Sequence, residues 1–343
     1  MASSQEPPFD AVLLLSFGGP EGPDDVLPFL ENVTRGRGIP RERLDAVAAQ
    51  YMLFGGVSPI NAECRSLLSA LETELAANGP RLPVYWGNRN WAPYLSDTVA
   101  AMARDGVQRA VAVATSAYSS YSACRQYLED IDRARLAFGE TAPRIEKIGP
   151  YWNHSGFVQT MIENTNSAIG ALAAATGDHA DFALVFTAHS LPLPMAESCD
   201  YVAQLTEASR LVAQAAAPQA TWDLVFQSRS GPPSRPWLEP DVRDHLRALG
   251  KRGVRRVVVV PIGFVADHME VVFDLDTDAR QVAESLGITM TRAACVGSAP
   301  RFVAGLRDLI AAHMEGRVAP RLGARTVRPG PCPPMCCPAS PRP

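Results

Sequence analysis

Three sets of side chains in this chain could do chemistry that a folded core does not need. His189, one of only six histidines, follows the apolar run Leu184-Val185-Phe186-Thr187, which puts its imidazole at the carboxyl end of a strand. A neutral imidazole there can ligate a borderline metal or take up a proton near neutral pH; the plainer alternative is a loop histidine that caps a helix. Glu270, Asp274 and Asp278 fall at i, i+4 and i+8 in DHMEVVFDLDTD. On a helix they form one acidic row, in which like charges repel by about a few tenths of a kcal/mol per pair. A cation moving along the row relieves that repulsion, whereas a solvated face only dilutes it. The third set is Cys332, Cys336 and Cys337 in PCPPMCCPAS, three of seven cysteines. Adjacent cysteines among so many prolines cannot fill a helix or strand interior, which leaves soft-metal ligation or a tail with incidental thiols.

These groups have to be held by elements, and the elements alternate. Short apolar runs predict strands at Ala11–Ser16, Leu82–Trp86, Arg109–Ala114, Ala183–Thr187, Asp223–Gln227 and Arg256–Pro261, with a further strand-like stretch at Arg144–Ile148. Between them lie helical stretches such as Arg41–Tyr51, Ala62–Ala77, Tyr94–Asp105, Ser198–Ala216, Asp241–Arg252 and Ala299–Met314. Repeated strand, loop, helix order predicts an α/β protein with parallel sheets covered on both faces. A boundary at Gly149–Tyr151 divides it into two compact α/β units, with no internal repeat beyond this loose similarity. In open sheets of this kind the binding crevice lies beyond the carboxyl ends of the strands. Scrutiny therefore falls on residues 16–20, 115–122, 188–192, 228–233 and 263–270.

Composition narrows the classes. The chain has 343 residues, 47% of them hydrophobic and 20% charged, and a net charge of −4 with Lys and Arg scattered along it. Nucleic acid is thereby an unsuitable partner. The apolar run at 11–15 is too short for a signal peptide or a membrane span, and a cytoplasmic enzyme is expected. Gly18-Gly19-Pro20 lacks the dinucleotide-binding pattern, Gly36-Arg37-Gly38 lacks the Lys-Ser/Thr ending of a phosphate loop, and no G-x-S-x-G elbow occurs. The five prolines from Pro329 to Pro338 predict a tail without regular structure.

The stretches SFGGPEGPDDV, ENVTRGRGIP, FGGVSPIN, VYWGNRNWAPY, FTAHSLP, WLEPDV and PIGFVADHMEVVFDLD closely resemble ferrochelatase, in order and register from about Phe9 to the helix ending near Met314. Within that family the sequence is most similar to the actinobacterial branch, taken to act on coproporphyrin III. The resemblance implies two similar Rossmann-like domains with parallel sheets, a chelatase-like architecture, and an active site in the cleft between them. The N-terminal domain is 1–150, rejoined by the C-terminal helix and tail at 312–343, and the second is 151–311. It implies insertion of ferrous iron, the metal substrate, into coproporphyrin III to give coproheme. Protoporphyrin IX as substrate, a cobalt chelatase and a non-catalytic tetrapyrrole carrier are the alternatives.

Residue by residue, the resemblance makes His189 in TAHSLP the imidazole facing the porphyrin centre and Glu270 its acidic counterpart, with Asp274 and Asp278 continuing the metal path. Ser58 in GGVSPIN and Tyr127 in CRQY match porphyrin-facing positions, and Arg37 in ENVTRGR matches a propionate-facing one. Phe17 stands where some relatives carry a metal-touching tyrosine, and phenylalanine cannot ligate. Many members hold a 2Fe-2S cluster, for which Cys124, Cys332, Cys336 and Cys337 supply the four thiolates. A porphyrin substrate, a transient contact with the coproheme decarboxylase and a monomeric state complete the expectation.

Overall fold

A computed structural model describes residues 8–177, 181–231, 235–325, 332–333 and 335–339. In chain order the first half runs β1 (Ala11–Ser16), α1 (Pro23–Val33), α2 (Arg41–Met52), α3 (Ile60–Asn78), β2 (Val84–Asn88), α4 (Leu95–Arg104), β3 (Arg109–Ala114), a π turn at Tyr121–Arg125 leading into α5 (Gln126–Phe138), and β4 (Arg144–Lys147). The second half runs α6 (Ser155–Thr176), β5 (Ala183–His189), α7 (Leu193–Glu197), α8 (Tyr201–Ala216), β6 (Thr221–Gln227), α9 (Val242–Lys251) and β7 (Arg256–Val260). It continues with α10 (Met269–Phe273), a second π turn at Asp274–Ala279, α11 (Arg280–Ser285), β8 (Thr289–Arg292) and α12 (Pro300–Met314).

The central strands form because their side chains are apolar on both faces. Every residue of β1 is buried, as are all of β5 except His189. All pairings are parallel, in two four-stranded sheets ordered β2-β1-β3-β4 and β6-β5-β7-β8. The two orders are the same, so the halves repeat one topology that the sequence does not display. Three strand predictions shift by two residues: the run at Leu82–Trp86 forms a strand two residues later, β5 extends through His189, and β6 begins at Thr221. β8 escapes the reading because TMTR at a sheet edge buries only Met290.

A single apolar cluster runs from Val12, Leu14 and Val113 of the first sheet through Trp152, Phe157 and Phe302 to Leu184, Phe186 and Val258 of the second. Helices α6 and α12 cross inside it at two glycines; a Cβ on Gly156 would lie 2.8 Å from the Gly305 Cα, so only glycine permits the approach. A separate cluster joins Phe29, Leu30, Leu44 and Tyr51 of α1 and α2 to Met269 of α10. Among the described residues no helix is long and apolar enough to cross a membrane. The expected irregular tail falls partly on residues 326–331, 334 and 340–343, and the expected turn at 230–233 partly on 232–233, which lie outside the described residues.

Candidate functional site

The strand order of the second, all-parallel sheet reverses between β5 and β7, and the loops leaving those neighbouring strands part at their carboxyl ends, the place where open α/β sheets bind ligands. β5 ends on His189, and the loop after β7 leads into α10, whose first turn holds Glu270. His189 Nε2 and a Glu270 carboxylate oxygen lie 3.4 Å apart. Two residues 81 positions apart in sequence are thus brought together by the order of the strands.

The imidazole has one way to face. His189 Nδ1 lies 2.5 Å from the Ser190 carbonyl oxygen, which can only accept, so Nδ1 carries a hydrogen and Nε2 is presented to Glu270. The Tyr201 hydroxyl of α8 donates to the His189 carbonyl at 3.1 Å. Glu270 is fixed through its backbone: its N–H donates to Nδ1 of His268, the N-cap of α10, at 3.2 Å, and the Gln227 amide donates to its carbonyl at 2.5 Å. Gln227 is the residue opposite His189 in the β5–β6 ladder, so one strand end steadies both partners. Neither Tyr201 nor Gln227 was singled out by sequence reasoning; the position of Gln227 at a strand's carboxyl end was the available signal.

The two side chains sit in a recess, enclosed by protein yet still reached by water, at 29% and 47% exposure. Burial disfavours the charge on His189, but the Glu270 carboxylate and the Ser190 carbonyl outweigh it and raise the imidazole to about 9. Burial likewise works against the Glu270 carboxylate, and His189 overcomes it, lowering the group to about 2. The pair is therefore ionised at neutral pH, with the proton on His189.

The acidic residues lie on the segment expected, but the helix changes from α to π along it. Glu270 lies on an α-turn, but Asp274 opens the π turn and Asp278 lies within it. Such turns widen the helix by one residue and occur often at functional sites. Burial pushes Asp274 up, the Ser228 hydroxyl draws it down and the Glu270 charge pushes it up again, leaving it at about 7. Ser228 donates a short hydrogen bond to Asp274 from a left-handed backbone, φ 61°, which is a strained conformation for serine. Asp278 ends the row at Arg243, 3.4 Å away.

The remaining expected residues divide. Phe17 leaves the carboxyl end of β1, is 36% exposed, and packs edge-on against Phe29. Ser58 is buried against Gly19, where a glycine Cβ would collide with its own at 2.7 Å. Arg37 is exposed on the turn after α1. Tyr127 is not at the crevice: it is buried in the core behind β1 and β3, with the Arg89 guanidinium 3.9 Å over its ring. Tyr51, whose hydroxyl follows the ENVTRGR arginines in sequence, lies close enough to Glu270 for the carboxylate to add to the effect of burial in keeping its phenol protonated.

A family model described as ferrochelatase matches residues 9–314. A coproporphyrin III ferrochelatase of Streptomyces coelicolor is 51% identical over 98% of this chain and 95% of its own length. That of Mycolicibacterium smegmatis is 52% identical over 96% of this chain and 99% of its own. The chain belongs to the ferrochelatase family. It is an enzyme of iron insertion into a porphyrin, in the lyase class. A ferrochelatase of Rhodopirellula baltica is 50% identical over 99% of this chain. Among solved structures, the sirohydrochlorin chelatase SirB of Bacillus subtilis in complex with cobalt aligns with a TM-score of 0.53 at 12% identity, covering 90% of this chain and 96% of its own, a likeness of fold alone.

This ferrochelatase also gathers cysteines away from the crevice. Cys124 is buried on the π turn before α5. Its thiol is lowered to about 5 by a hydrogen bond with Cys332, against the opposing effect of burial and with help from Lys147. Cys332 is pushed up by the same contact and interacts with Cys336, whose sulfur is 3.7 Å from that of Cys337. As the side chains stand, no group of three or more His, Cys, Asp or Glu among the described residues could hold a metal ion. The four thiols form one run of contacts, Cys124 to Cys332, Cys332 to Cys336 and Cys336 to Cys337. Cys64 and Cys295 are buried in the fold, and Cys199 is half-buried.

Proposed function

We propose that this enzyme inserts ferrous iron into coproporphyrin III, releasing two protons and giving coproheme. The observation that carries the reading is the ionised His189–Glu270 pair at the sheet's switch point, in a chain about half identical to enzymes named for that substrate. The ring lies in the crevice over Phe17, and Arg37 contributes to holding its carboxylates; Ser58, buried against Gly19, supports the crevice wall without reaching the ring's carboxylates. Iron arriving along Asp278, Asp274 and Glu270 neutralises the charge that keeps His189 protonated. The imidazole then gives up its proton to solvent, Nε2 accepts one pyrrole proton and the Glu270 carboxylate takes the other, and both pass on to water from these partly exposed side chains. Tyr127 is left out of this assignment because of its place in the core. Comparing kcat/KM with coproporphyrin III and protoporphyrin IX tests the substrate; a clear preference for protoporphyrin would reverse it.

A 2Fe-2S cluster held by Cys124, Cys332, Cys336 and Cys337 is proposed alongside. Support comes from the chemistry of the donors, four thiols of which one ionises easily, and from the left-handed backbone at Cys337, φ 50°, which some interaction must stabilise. A two-iron cluster needs four thiolates, the number that lie in this one run of contacts. When bound, it would supply a cross-link between the tail and α5, and it takes no part in the insertion step. Two acid-labile sulfides per chain are expected in anaerobically purified protein and none in Cys124→Ser; protein without labile sulfide would dismiss the cluster.

A further inference from the structure

Arg292, on edge strand β8, holds two points of the segment that carries the acidic row. Its Nη1 and Nη2 donate to the two carboxylate oxygens of Asp267 at 3.1 and 2.9 Å. Its Nε and Nη2 donate to those of Asp276 at 2.8 and 2.8 Å. The remaining Nη1 hydrogen reaches the Ala293 carbonyl at 3.4 Å. All five donors are thus used, and two carboxylates are each gripped by a fork. The side chain is only 13% exposed, and its backbone is paired to Val259 of β7.

The two gripped residues bracket the chemistry. Asp267 precedes His268 and Glu270; Asp276 sits in the π turn between Asp274 and Asp278. A π turn is a rare conformation that persists where tertiary contacts determine it. Asp276 contacts the arginine from the widened turn itself, while Asp267 sets the point from which α10 starts. Cys295 and His268 also interact with Asp267, and Glu63 of α3 lies near it; among the described residues the arginines paired with these carboxylates are Arg292, at both, and Arg280, at Asp276.

We infer that Arg292 is a positioning residue for iron handling: by clamping Asp267 and Asp276 to the sheet it fixes the π turn that aligns Glu270, Asp274 and Asp278. The inference rests on the reading of that row as the iron path. Lysine cannot make the two forks, so Arg292→Lys tests geometry with the charge retained. A triple variant, Arg292→Met with Asp267→Asn and Asp276→Asn, removes both the clamp and the unpaired carboxylates that its loss would leave.

For both proteins the KM for Fe²⁺ is expected to rise about fivefold or more and kcat to fall, with coproporphyrin affinity within about twofold of the parent. Hydrogen exchange at amides 270–279 should accelerate in both, and the triple variant should melt near the parent temperature. Parent values of the Fe²⁺ KM and kcat in the folded triple variant would overturn the positioning role and leave Arg292 as a support of the fold. If instead Glu270→Gln and Asp274→Asn left iron kinetics unchanged, the iron-path reading itself would fail, and the role of Arg292 with it.

Discussion

At the scale of single residues, the crevice is governed by one pair whose members each distort the other's ionisation. His189 is raised to about 9 from 6.5, so its contribution to stability is complete below about pH 6.5 and is lost as pH rises through 9. Glu270 is lowered to about 2 from 4.5, so its contribution is complete above about pH 4.5 and is lost as pH falls through 2. Glu270→Gln should therefore be most destabilising between pH 4.5 and 6.5, by about 1 kcal/mol, since water reaches both side chains. Thermal unfolding midpoints of parent and variant from pH 4 to 9 check this, and a difference independent of pH would refute it. At saturating porphyrin the same variant should lose catalytic rate with little change in porphyrin affinity. Sequence alone reached both residues because each follows a strongly apolar strand. It could not reach the tautomer of His189, which depends on the Ser190 carbonyl, nor Gln227, whose role appears only when β6 lies beside β5.

At the scale of elements, what the sequence showed was burial, and what it hid was tertiary control of backbone. β1, β3, β5 and β7 were legible because runs such as AVLLLS and RVVVV are apolar on both faces. α1 was not, with Pro23 and Pro28 in its eleven residues; Pro23 in fact occupies the first helical position, where its missing N–H costs nothing. The π turn at 274–279 was invisible because DLDTDA carries no local mark of it; Arg292, from another element, grips its middle. The N-terminus of α6 provides an independent test of local physics. His154 caps it by accepting from the Gly156 N–H with Nδ1, and burial, then Arg321, lower the imidazole to about 4. A histidine lowered in the fold favours the neutral form, so its contribution is complete above about pH 6.5 and is lost as pH falls towards 4. Between pH 7 and 5 this one residue should cost the parent about 2 kcal/mol of stability. His154→Asn, a cap that does not titrate, should show a smaller loss over that range; an equal loss in denaturant midpoints would remove His154 from the acid response.

At the scale of the whole molecule, the chain uses one topology twice. β1 and β5 are equivalent strands, so Phe17 and His189 leave equivalent carboxyl ends; one offers an apolar ring and the other an imidazole. The residue pattern showed the alternation and the parallel sheets, and the family resemblance implied two similar halves; the strand order they share was not legible, because it is a matter of pairing and the pairs are far apart in the chain. α12 then packs on both α6 and α3, bringing the end of the second half back to the first. A cluster joining Cys124 to the tail would close a loop of about 200 residues, and its loss should destabilise the fold by about 3 kcal/mol or more. Unfolding of the parent beside Cys124→Ser, both prepared anaerobically, measures that difference, and equal midpoints would count against the cross-link. The central claim, that His189 is the group on which insertion depends, is tested most directly by anaerobic iron insertion into coproporphyrin III by parent and His189→Ala, with porphyrin binding measured on the same samples by fluorescence. The expected result is a rate lower by about a hundredfold or more in the variant, at an affinity for coproporphyrin within about threefold of the parent. A His189→Ala protein that inserts iron at the parent rate would contradict it.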